Sequence, residues 1–180
     1  MKLIILRGLP GCGKSTIAEK LSKKFDSKVI YGDSFKLECL KRNNNFKEAC
    51  EYSYEKIFEE VKKYFNQKEE ILIIEELFFD KDLVEKIKDF CKENNIKIFW
   101  FYIQKDLEKL LEIENKRERS KKNTTEDFKN IQKDLDSIKN EGEIIVDNNG
   151  SLEDSINFIL KSLENKYDFP CTSRNNVLSL

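Results

Sequence analysis

Nine residues near the start of the chain, GLPGCGKST at positions 8 to 16, have the types and spacing that bind a polyphosphate. They fit the pattern G-x-x-x-x-G-K-[ST] of a phosphate-binding loop. Gly8, Gly11 and Gly13 let the backbone turn its N–H groups inward around a diphosphate. Lys14 then reaches the β and γ oxygens, and Ser15 offers a hydroxyl to Mg²⁺. Pro10, Cys12 and Thr16 complete the expected nucleotide-contacting segment, with Cys12 a small filler rather than a reactive thiol. The anion sits at the positive end of a helix that begins about Lys14, where unpaired N–H groups point outward. The fixed positions of the pattern coincide by accident on the order of once in a hundred chains of this length. The alternative is a glycine-rich turn that binds nothing. The apolar run LIIL (3–6) before the loop and the amphipathic stretch after it favour the ligand site, and ATP with Mg²⁺ is the expected occupant.

Phosphoryl transfer from such a loop needs a carboxylate near the acceptor hydroxyl, an acidic group for the metal shell and a mobile basic lid. Asp33, in YGDSFK (31–36), is the candidate for the first, placed to accept or orient the acceptor's proton. It could equally cap a helix starting near Ser34, and one carboxylate can do both. Glu75 and Glu76, at the start of EELFF (75–79), can supply the metal shell. The lid candidate is NKRERSKK (115–122), where five of eight residues are basic. Arg117 and Arg119 are its best members, since a guanidinium binds two phosphate oxygens at once. The same segment also reads as a solvated helix end whose charges complement the dipole. The chain has no histidine, so the commonest general base and the commonest metal ligand are both excluded.

The elements that must hold these residues alternate along the chain. Short apolar runs at LIIL (3–6), KVIY (28–31), ILII (71–74), IKIFWFYI (96–103) and EIIV (143–146) read as five strands. Apolar residues recur at helical spacing over 16–25, 46–65, 82–95, 106–122, 125–139 and 151–166, with Asp82, Thr125 and Ser151 as expected N-caps. The pattern predicts an α/β fold, a five-stranded parallel sheet with helices on both faces, of the nucleotide-kinase-like P-loop NTPase class. One domain over residues 1–167 and an irregular tail over 168–180 are expected, as only Pro10 and Pro170 interrupt the chain and no linker composition occurs.

Regulatory GTPases use the same loop, but their further motifs have only decoys here. DNNG (147–150) lies after the fifth strand and reads as a turn capping it; NKRE (115–118) lies within a helical stretch with Glu118 where aspartate is required. GLPGCGKST and DSFK together resemble the small P-loop kinases grouped around polynucleotide 5′-hydroxyl kinases, which include seryl-tRNA kinases and small-molecule kinases. The resemblance spans about residues 1 to 165 as architecture. It implies that Asp33 is the general base and that Phe35 and Lys36 fill the places of an aromatic and an arginine, the arginine holding the acceptor's 3′ phosphate. Lys36 keeps that charge but loses the planar fork. The relatives end their third strand in aspartate followed by a threonine-asparagine pair. Glu76 matches that aspartate best, while Leu77 and Phe78 cannot replace the polar pair, so the acceptor pocket is more apolar here. Phe35, Phe78 and Phe79 could stack a base or belong to the core.

Composition narrows the partners. Among 180 residues, 33 basic and 34 acidic side chains give a net charge of −1, which excludes a globally basic nucleic-acid surface. Five cysteines lack metal-ligand spacing, and their odd number disfavours a disulfide framework, so a reduced setting is expected. The first apolar run, cut by Arg7, is too short for a signal peptide or membrane span, and a soluble cytoplasmic protein with no membrane partner is expected. The functional expectation is ATP-dependent transfer to an acceptor hydroxyl, first a DNA or RNA 5′ end. A nucleoside or other small molecule is the alternative acceptor, and a nucleotide-binding regulator without acceptor is the reading from another class.

Overall fold

The computed structural model describes residues 1–43, 45–118, 122–138, 140 and 142–164; Arg119 and the expected tail 168–180 lie outside the described residues. The elements run β1 (Lys2–Arg7), α1 (Lys14–Phe25), β2 (Lys28–Tyr31), α2 (Gly32–Asn43), α3 (Phe46–Asn66), β3 (Ile71–Glu75), α4 (Lys81–Glu93), β4 (Lys97–Gln104), α5 (Leu107–Lys116), α6 (Thr125–Asp136), β5 (Ile144–Asp147) and α7 (Leu152–Glu164). All strand pairs are parallel, in the order β2-β3-β1-β4-β5. The central runs become strands buried on both faces, as β1 and β3 show, because helices cover both sides of the sheet there, whereas the edge strand β5 buries Val146 and leaves Ile145 exposed. Leu3, Ile5, Leu72 and Ile74 face α3 and α4, while Ile4, Leu6 and Ile73 face α1 and the helices that follow β4 and β5.

This two-sided wrapping creates the crevice. β1 and β3 are neighbours, yet α1, after β1, and α4, after β3, pack on opposite faces. The chain therefore splits above the carboxyl ends of these two strands, where Leu6 pairs with Glu75, and open parallel sheets bind ligands at such a point.

Local structure departs from the sequence expectation at three helix ends. Asp80, not Asp82, caps α4: it has extended backbone and its carboxylate accepts from Leu83 N at 2.7 Å, which leaves Asp82 in the first turn. Thr124, not Thr125, caps α6, because a reciprocal capping box with Asp127 fixes the start one residue earlier. Ser151 caps α7 as expected, accepting from Asp154 N at 3.1 Å. The helical stretch expected over 106–122 ends at Lys116, with Arg117 already extended. A separate helix, α2, starts at Gly32 and carries Asp33 in its first turn.

Candidate active site

The phosphate loop fills the gap between β1 and α1. Gly8 and Gly13 have φ of 143° and 104°, a region that disfavours side chains. Both also touch neighbours: a Cβ at Gly8 would stand 2.4 Å from Ile103 O, and one at Gly13 would stand 2.4 Å from Asn148 Nδ2. Because Gly13 precedes α1 and offers no side-chain cap, the first-turn N–H groups are left to a ligand. Lys14 is buried, and its Nζ donates to Gly8 O at 2.9 Å and Leu9 O at 3.1 Å, folding back over the loop. Ser15 and Thr16 are exposed at the start of α1, and Pro10 and Gly11 are half-buried. The Cys12 side chain is buried under the loop, where burial pushes its thiol above the ordinary range.

Glu75 and Glu76 are consecutive, so strand alternation sends them to opposite faces. Glu75 faces α1: its Oε2 accepts from Ser15 Oγ at 3.3 Å and its Oε1 lies 3.6 Å from Lys14 Nζ. Glu76, whose N–H still bonds Leu6 O, faces α2 and α3. The structure thus brings Glu75 to the Ser15 hydroxyl and gives Glu76 a different neighbourhood. Among the described residues no cluster of three or more His, Cys, Asp or Glu could hold a metal alone. A hydroxyl and one carboxylate oxygen, 3.3 Å apart, fit Mg²⁺ that arrives with phosphate oxygens and keeps waters.

Glu76 belongs to a second corner. Its carboxylate is 2% exposed; Oε1 accepts from Lys36 Nζ at 2.5 Å and from Leu77 N at 2.8 Å. Lys36, 6% exposed, also donates to Asp33 at 3.2 Å, whose own side chain is 76% exposed. Burial opposes the Lys36 charge, but Glu76 and Asp33 outweigh it and hold its pKa above the lysine range. At Glu76 burial wins over the ammonium and pushes the carboxyl up. The Phe79 ring lies 5.9 Å from Lys36 Nζ and meets Tyr54 edge-on at 6.1 Å. Glu76 Oε2 and the Tyr54 hydroxyl are buried with no hydrogen-bond partner among the described residues. Gly32 makes room for this corner, as a Cβ there would overlap Glu76 Oε2 at 1.8 Å. Phe35 is half-buried against the core, and Phe78 is fully buried edge-on to Trp100 at 5.4 Å, so Phe78 is a core residue rather than a stacking platform.

Arg117 closes the site from the other side. Its Nη2 would lie 3.6 Å from a Cβ at Gly11, so the guanidinium stands against the phosphate loop. Buried Glu114 holds it, with Oε2 3.4 Å from Nη1, while Oε1 accepts from Asn123 N at 2.7 Å and ties the far end of the segment. Arg119 lies outside the described residues. Two further residues went unread in the sequence. Arg7 is fully buried and donates to Leu135 O at 2.6 Å and to Ile138 O, binding β1 to the end of α6. Asn148, within the turn DNNG, donates to Cys12 O at 2.7 Å. Neither contact leaves a local signal, since the partners are more than 120 positions away.

The family model described as chromatin associated protein KTI12 matches residues 1–174. No curated protein sequence matches the chain. Among solved structures, a gluconokinase from Sinorhizobium meliloti 1021 is similar at 14% identity, covering 92% of this chain and 95% of its own, with a TM-score of 0.67. Deoxyadenosine kinase from M. mycoides, 17% identical, covers 90% and 98% with a TM-score of 0.62. An APS kinase from Mycobacterium tuberculosis, 12% identical, covers 91% and 96% with a TM-score of 0.58. The chain has the fold of the P-loop kinases, and these likenesses do not single out the polynucleotide kinases among them. No helix among the described residues is long and apolar enough to cross a membrane.

Proposed function

From the premise that the chain belongs to the KTI12 family, we propose that it is an ATP-dependent phosphotransferase acting on an acceptor hydroxyl at the crevice above β1 and β3. One arrangement supports this most: Lys14, Ser15 and Glu75 meet on one side of the crevice, with Arg117 against the loop. The loop amides and Lys14 hold the polyphosphate; Ser15 and Glu75 are the residues that would hold Mg²⁺, which would supply neutralisation of the charge developing on the phosphates. Arg117, which stands against the loop, covers the transferring phosphoryl group, and Arg119 is the second candidate for that role. The acceptor oxygen bonds to the γ-phosphorus as the bond to the β–γ bridging oxygen breaks; the hydroxyl proton goes to Asp33 and ADP leaves. Catalysis rests on position and charge, with no covalent intermediate on the protein.

Lys36 decides between acceptors. A phosphate-bearing DNA or RNA end needs its ammonium, but that group is buried and already neutralised by Glu76 and Asp33. The geometry therefore favours an uncharged hydroxyl compound, such as a nucleoside or another small molecule. The nucleic-acid end is the second reading, and one observation favours it: Asp33 is exposed and can release Lys36. The test is ADP formation from ATP·Mg²⁺ with a nucleoside, its 3′-phosphate and a 5′-hydroxyl oligonucleotide, on wild type and Lys36→Ala. Stimulation by the nucleoside alone supports the first reading. A preference for the 3′-phosphate that Lys36→Ala erases, and that shrinks with salt, supports the second. ADP formation unaffected by every acceptor points to a nucleotide-dependent regulator instead.

A further inference from the structure

The turn DNNG after β5 uses its side chains in a way that closing a strand does not require. Asn148 is buried and every polar group on it is engaged. Its N–H donates to Gln104 O at 2.9 Å and its carbonyl accepts from Lys105 Nζ at 2.5 Å. Nδ2 donates to Cys12 O at 2.7 Å, and Oδ1 accepts from Ser155 Oγ at 2.9 Å. The amide orientation follows from its partners, since a backbone carbonyl can only accept. Asn149 next to it exchanges two bonds with Asp106, from Asp106 N at 2.8 Å and to Asp106 Oδ1 at 3.0 Å. Asp106 is the N-cap of α5, but its carboxylate caps no N–H of that helix. Lys109, one turn into α5, donates to Asn149 O at 2.9 Å.

We propose that Asn148 and Asn149 form a bracket that positions the phosphate loop and the lid-bearing helix α5 relative to each other. The loop side follows from peptide geometry. In a trans peptide the C=O and the following N–H point in opposite directions, and the chain has no cis bond among its described residues. Holding Cys12 O against Asn148 therefore turns the N–H of Gly13 away from it, at the entrance of α1, where a phosphate oxygen is met by backbone amides. The same contact explains why residue 13 must be glycine beyond its φ: any Cβ would strike the Asn148 amide at 2.4 Å. On the other side, Asn149 fixes the start of α5, and α5 ends at Lys116, immediately before Arg117. Asn148 and Asn149 are positioning residues; neither needs to touch the nucleotide.

The nucleotide-based readouts of this bracket rest on the phosphotransferase reading, so the test includes one that does not. Hydrogen exchange of the ligand-free protein is measured over residues 8–16 in wild type, Asn148→Ala and Ser155→Ala. Ser155→Ala removes the α7 contact of Asn148 but leaves its bond to the loop. The expected result is about ten-fold faster exchange of the loop amides in Asn148→Ala, with Ser155→Ala close to wild type. Calorimetry with ATP·Mg²⁺ is expected to show about ten-fold weaker binding for Asn148→Ala alone. Asn149→Ala is expected to lower kcat about ten-fold with KM nearly unchanged, as only the lid is displaced. Asn148→Asp serves if the alanine variant does not fold: it keeps the Ser155 contact and sets an acceptor against Cys12 O, so faster loop exchange is again expected. Unchanged loop exchange in Asn148→Ala and Asn148→Asp overturns the bracket. So does Ser155→Ala matching Asn148→Ala, which would reduce the contact to α7 packing. Wild type that binds no ATP defeats the phosphotransferase reading, while the exchange result still decides the bracket.

Discussion

Two lysine–carboxylate corners lie side by side at the end of β3, one built on Glu75 and one on Glu76, and they are in opposite states. In the first, Lys14 is parked on two backbone carbonyls and stands 3.6 Å from Glu75, a loose arrangement that a polyphosphate can take over. In the second, Lys36, on α2, is locked on Glu76 at 2.5 Å and shares Asp33. The difference teaches that a lysine near a predicted anion site must be judged by what already holds it. Carbonyls and a carboxylate held 3.6 Å away leave its charge available, whereas a buried carboxylate in direct contact at 2.5 Å consumes it.

Lys14→Ala should abolish ATP·Mg²⁺ binding by calorimetry while leaving the melting temperature near wild type, because its charge serves no core contact. Retained binding would break the contrast at its open end. Arg117→Ala should lower turnover by about 10³-fold for every acceptor alike, since it acts on the phosphoryl group they share. A loss confined to one acceptor would move Arg117 to the acceptor corner. Asp33→Asn should cost about 10²-fold in turnover with little change in melting temperature. Full turnover with a lower melting temperature would leave Asp33 a helix-start residue and partner of Lys36.

The closed corner is read through stability. Glu76→Ala strands a buried ammonium with one exposed partner and should cost about 3 kcal/mol in denaturant unfolding, whereas Glu75→Ala should cost far less and reduce turnover instead. Equal stability losses would erase the distinction between the two carboxylates. The smallest effect concerns pH. Burial raises the Glu76 pKa in the folded chain, so the native state keeps a proton that the unfolded chain has released. Stability from this group is present below the ordinary glutamate pKa and declines as pH rises through the raised value. Glu76→Gln should flatten that decline in melting temperature as pH rises above the ordinary glutamate range.

The sheet was legible because two-sided burial writes strands as unbroken apolar runs, and the loop was legible because its motif is local. Legibility failed where a nonlocal partner decides. Matching Glu76 to the relatives' aspartate counted positions along the chain, but the face of the sheet follows from alternation. Ile73 and Glu75 share the α1 side, a pattern the sequence does contain. The burial of Lys36 depends on Gly32 and Glu76 meeting across α2 and β3, which no spacing reveals. DNNG read as a plain turn because its bond to Cys12 spans 136 positions. Asp80 and Thr124 displaced the expected caps by only one or two residues, the scale on which helix ends are decided by individual backbone angles.

The pairing of Phe78 with Trp100 gives the protein an optical reporter of its own. Trp100 is the only tryptophan in the chain and is almost fully buried. Phe78 follows Glu76 by two residues, on a backbone turned to a φ of 56°, so its ring is carried by the same short segment as both carboxylates. A ligand that draws Glu75 or Glu76 pulls on the segment that carries this ring, and a shift of the ring against the indole edge is the expected response. Tryptophan emission is therefore expected to report events at either corner without a label, and an ATP·Mg²⁺ titration of the unmodified chain checks this.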